Sequence, residues 1–93
     1  MRTERMYVSE GRLYGNIGTF VIQDAQDSWD AERLLRNASA FYEMTSFEKP
    51  NKVNKDQEEE LLEVIENPTP RRPIRKLGYG VTYIEFFTMS KEN

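Results

Sequence analysis

The chain contains no histidine and no cysteine. Without them there is no side chain of near-neutral pKa to serve as a base beside a serine, and no thiol nucleophile. Zinc sites built from Cys and His are excluded for the same reason. No disulfide can form, which fits a reducing compartment and a cytoplasmic protein. Carboxylate chemistry, alone or with Mg²⁺ or Ca²⁺, is what remains. Long apolar runs are also missing. None approaches the ~20 residues of a membrane-spanning helix, so no membrane partner is expected. Residues 1–10 carry two Arg and two Glu and no apolar stretch, which does not read as a signal peptide. There is no internal repeat and no low-complexity tract. Charge of one sign is not in large excess. A net charge of -3 and a pI of about 5.0 give no global pull toward nucleic acid or anionic lipid.

The chain's 93 residues suffice for one domain, spanning 1–93. Five Phe, five Tyr and one Trp are large apolar bodies that need a core or a partner to cover them. The first zone, Arg5 to Gln23, reads as strand. Glu10-Gly11 is a plausible tight turn between Met6–Val8 and Arg12–Tyr14. Gly15 and Gly18 then mark a bulge, in preference to a break, so that Arg12 to Gln23 forms one bent strand. Asp27 or Ser28 caps a helix over 28–45 whose apolar stripe is Ala31, Leu34, Leu35, Ala38 and Tyr42. Asn37-Ala38-Ser39 matches a glycosylation acceptor and reads as helix surface. Thr45 to Val53 reads as a loop, with Phe47 tucked onto the core.

Asn54 with Gln57 three residues on predicts a capping-box start to a second helix. Leu61, Leu62 and Ile65 form its apolar stripe. Asn67 is expected to close it in a left-handed conformation before Pro68. Three prolines within 68–73 predict a stiff, extended Pro/Arg-rich connector over 68–76. It leads into the strongest strand, Tyr79 to Met89, which is apolar on both faces and therefore belongs in the middle of a sheet. The expected fold class is α+β: a small two-layer domain, order β-β-α-α-β. Its antiparallel sheet has two to three strands, and both helices pack on one face.

Few constellations could carry chemistry. Asp24, Asp27 and Asp30 recur every three residues but lack the glycine and terminal glutamate of a Ca²⁺ loop, so they read as helix caps. Gly15-x-x-Gly18 and Gly78-x-Gly80 do not continue into a phosphate loop. Glu85 is the residue to check for a perturbed pKa, because its strand face otherwise holds Val81, Tyr83 and Phe87. No catalytic residue, metal ligand or cofactor is assigned.

Charge layout is the clearest signal outside the core. Residues 55–66 set one lysine against six carboxylates, including Glu59, Glu60, Glu63 and Glu66, for a net -5. Residues 71–76 carry Arg71, Arg72, Arg75 and Lys76, a net +4, with Tyr79 nearby for stacking. Three arrangements account for this. The basic segment folds back onto the acidic helix, or both patches face a protein partner, or the basic arm contacts phosphates. The expectation is a small non-catalytic interaction or regulatory protein that binds another protein. It would be an inhibitor, adaptor or accessory subunit of the kind carried by phages and mobile elements. A nucleic-acid-binding module using the 71–76 arm is the alternative. Homodimerisation through a sheet edge is compatible with either.

Overall fold

The computed structural model of the protein describes residues 5–42 and 44–87. Its elements run β1 (Arg5–Leu13), β2 (Asn16–Ala25), α1 (Ser28–Ser39), β3 (Met44–Phe47), β4 (Asn51–Lys52), α2 (Lys55–Glu66), β5 (Ile74–Gly78) and β6 (Val81–Glu85). The class is α+β, but among the described residues the sheet has six antiparallel strands in place of the two or three expected. Strand order is β3-β1-β2-β6-β5, and β4 also pairs with β1.

Two turns account for much of the difference. Tyr14 and Gly15 both have positive φ, 54° and 83°. They make a two-residue hairpin that pairs Leu13 with Asn16. Turns of this hand match the natural twist of paired strands. The single bent strand Arg12–Gln23 is therefore two strands. Glu10-Gly11, expected as the turn, lies inside β1. Gly11 is there because β3 crosses close by: a Cβ would overlap the Ser46 carbonyl oxygen. Tyr79 and Gly80 repeat the positive-φ pair, at 56° and 74°, between β5 and β6. The stretch Thr45–Val53, expected as a loop, contains most of β3 and all of β4. Phe47 does pack against the core.

The helices do not share a face. Phe20 and Ile22 of β2 and Val81 and Tyr83 of β6 pack with Ala31, Leu35 and Ala38 of α1. The alternate residues Val21 and Ile84 pack with Leu61 and Val64 of α2. Side chains alternate across a strand, so α1 and α2 cover opposite faces and the domain has three layers. β6 sits between β2 and β5 and is buried on both faces from Val81 to Ile84, as its double-sided apolarity predicts. Phe86 adopts φ 62°, which breaks the alternation. Phe87 thereby joins Val21 and Ile84 on the α2 side, not the Val81–Tyr83 face expected for it.

The caps follow local chemistry. The Asp27 side chain accepts from the Asp30 N–H at 2.8 Å to start α1, and the Asp30 carboxylate accepts from the Gln26 N–H at 3.0 Å. α1 ends at Ser39, six residues short of the expected end, and Glu43 lies outside the described residues. Asn54 and Gln57 form the expected capping box. Asn67 is not left-handed; its φ is -130°. The expected connector 68–76 divides in two. Thr69 and Arg72 close a turn, with Arg72 N–H donating to the Thr69 carbonyl at 2.9 Å, and Ile74 onward is edge strand β5. Thr88 and Met89 of the expected last strand lie outside the described residues. Among the described residues, no helix is long and apolar enough to cross a membrane.

Candidate functional site

Glu85 ends β6 and is half-buried. The Asn16 side-chain amide donates to it at 2.5 Å. Its neighbour Tyr83 is buried, tilts against Phe20 at 4.7 Å between ring centres, and donates its hydroxyl to the Asn16 carbonyl at 2.5 Å. Burial pushes the Tyr83 phenol above its ordinary value, and the nearby Glu85 carboxylate adds to this. A phenol so placed stays protonated and acts as a hydrogen-bond donor. Gly18 makes room for it, because a Cβ there would stand 2.6 Å from the Tyr83 ring and hydroxyl. Asn16, Glu85 and Tyr83 thus form a small polar clasp at the end of the sheet. It ties β2 to β6.

Among the described residues, no buried side-chain nitrogen or oxygen lacks a partner. No group of three or more carboxylates converges among them either. Asp24, Asp27 and Asp30 follow the capping pattern only in part: Asp27 caps α1 and Asp30 supports the cap, while Asp24 lies exposed at the end of β2.

The basic and acidic segments stay apart. Among the described residues, no ion pair within 4.0 Å links Arg71, Arg72, Arg75 or Lys76 to Glu59, Glu60, Glu63 or Glu66. The ion pairs among the described residues, Arg33–Asp30 at 2.6 Å and Arg36–Glu32 at 2.8 Å, lie within α1. The basic residues also divide among themselves. Arg75 pairs across from Tyr83 on the α1 side of the sheet and places its guanidinium 5.5 Å from the Tyr14 ring. Lys76 pairs across from Thr82 and so points to the α2 side. Arg72 stands 4.9 Å over the Phe87 ring. Tyr79 does not stack beside the arm; its ring lies on that of Phe41 at 5.9 Å.

A surface that sequence reasoning missed lies on the outer side of α1. A groove of about 280 Å³ runs there, lined by Trp29, Glu32, Arg33, Arg36 and Asn37. Trp29 is 79% exposed and Phe41 is 67% exposed. Arg33 and Arg36 line the groove with Trp29 while paired to Asp30 and Glu32, and Arg36 also stands 5.7 Å over the Phe47 ring. The signal was available. Trp29 is two residues from Ala31, about 200° around the helix, so it falls opposite the buried stripe.

Comparison with protein-family models, with curated proteins and with solved structures finds no match to this chain.

Proposed function

We propose that this protein is a non-catalytic binding module that docks on another protein through the outer face of α1. It would serve as an inhibitor, adaptor or accessory subunit in the cytoplasm. The exposed Trp29 carries this reading. Tryptophan and arginine are the residues most enriched at the energetic centres of protein interfaces. Here one Trp and two Arg share a groove, and Phe41 supplies further exposed aromatic surface near the end of the same helix. Glu32 and Asn37 supply a polar rim. The face is close to neutral, since each arginine has its own carboxylate. Apolar burial around Trp29 would therefore supply most of the affinity.

A photoreactive residue placed at position 33 tests this in the native host, with position 59 on α2 as control. The expected result is an adduct to one distinct protein from position 33 alone. Titrated with that purified protein, the chain's single tryptophan should shift its emission to the blue. Trp29→Ala should weaken binding by ~30-fold or more, the scale of an interface anchor, without moving the unfolding midpoint. Equal adducts from both positions, or an emission maximum unmoved by the partner, would overturn the assignment.

A further inference from the structure

β5 lies at one end of the strand order. β5 pairs with β6 on one side only. The Pro73 carbonyl accepts from the Glu85 N–H at 3.0 Å, and Arg75 stands opposite Tyr83. In an antiparallel ladder the inward and outward residues alternate. The N–H and C=O groups of Arg75 therefore point toward β6, and those of Ile74 and Lys76 point away from the sheet. Among the described residues, no strand pairs with that outer edge.

We propose that the outer edge of β5 accepts an extended acidic peptide segment as an additional strand. Charge complementarity selects this occupant. Arg71, Arg72, Arg75 and Lys76 lie on or beside the edge and form no ion pair among the described residues. Arg75 and Lys76 project to opposite faces of the sheet. An added strand lies in the plane of the sheet, and its alternate side chains also project to opposite faces. Acidic residues at adjacent positions would thus meet Arg75 on one face and Lys76 on the other, as cross-strand pairs. A phosphate backbone has no such reach. It follows a surface, and these cations do not share one. A second copy of the same edge is disfavoured too, because it would set Arg75 and Lys76 against their own like charges. Recognition of this kind takes affinity from main-chain hydrogen bonds and selectivity from the flanking side chains.

The experiment uses the full chain, ¹⁵N-labelled, and a synthetic eight-residue peptide alternating Glu-Glu and Val-Thr pairs. Binding should protect the Ile74 and Lys76 amides from exchange and shift their resonances, leaving α1 unmoved. Methylating the peptide nitrogens at alternate positions keeps the charge and removes the strand hydrogen bonds. On the edge-pairing register this should weaken binding by roughly tenfold for two lost bonds. Arg75→Glu with Lys76→Glu should weaken it by at least as much. Both residues are exposed and outside the core, and the thermal midpoint of the variant confirms folding. A ten-nucleotide oligothymidine is the third probe. Three results would each overturn the proposal: equal affinity for the methylated peptide in every register, tighter binding of the oligonucleotide, or no protection at Ile74 and Lys76.

Discussion

Tyr83 shows how one side chain can tie the end of the sheet together. Its ring fills the space that Gly18 leaves open, and its hydroxyl reaches the Asn16 carbonyl. Removing that hydroxyl as Tyr83→Phe should cost ~1 kcal/mol, the net worth of an ordinary hydrogen bond. Gly18→Ala should cost more, ~1–3 kcal/mol, because the added methyl meets both the Tyr83 ring and the Ile84 carbonyl. Urea denaturation measures both. The phenol also makes stability pH-dependent. Burial, then the Glu85 charge, raises its folded pKa above the ordinary phenol value of 10.0. Tyr83's contribution is therefore fully present below that value and is lost as pH rises through the folded pKa. Above it the unfolded chain binds fewer protons than the folded one, so stability falls. Denaturation midpoints should decline more steeply above pH ~10 in the parent than in Tyr83→Phe. Equal slopes would mean that Tyr83 ionises alike in both states. None of this coupling is visible along the chain, because Asn16 and Tyr83 are 67 residues apart.

At the scale of the element, the helix starts were legible and the edge strands were not. A cap needs only neighbours three residues apart, which is why Asp27, Asn54 and Gln57 could be placed from local chemistry. Asn54→Ala removes one half of the capping box and should destabilise the domain by ~1 kcal/mol. At the start of α1, the Asp30 carboxyl is held below its usual range chiefly by the Gln26 N–H and then by Arg33. Its stabilising effect is present above the ordinary carboxyl value of 3.8 and is lost as pH falls through the folded pKa. In a ¹³C titration, Arg33→Ala should bring Asp30 only part of the way back, since the larger cause is untouched. β3, β4 and β5 are different. They are two to five residues long, and β5 carries Arg75 and Lys76 and follows Pro73. Their own propensities do not announce strand. They are strands because β1 and β6 offer them unpaired backbone groups, and a buried amide left unpaired is costly.

For the whole molecule, the placement of the helices decides what is core and what is surface. A sheet covered on both faces has two half-cores that share β2 and β6. Leu35→Ala under α1 and Leu61→Ala under α2 should each cost ~2–5 kcal/mol, the range for emptying a fully buried leucine site. Because the two half-cores share strands, each loss should appear in one cooperative transition seen equally by far-ultraviolet circular dichroism and by tyrosine signals. Separate transitions would mean that the layers unfold independently. Sequence alone determined the α+β class, both helix starts, the doubly apolar β6 and the absence of His- and Cys-dependent chemistry. These depend on composition, on period-two or helical spacing, and on contacts a few residues long. Only the tertiary structure decided that the described residues form a six-stranded sheet and that the helices lie on opposite faces of it. Those outcomes follow from pairings between distant segments. The missing histidine and cysteine narrowed the chemistry open to this chain, and the fold then determined which surfaces and which strand edge the described residues leave exposed.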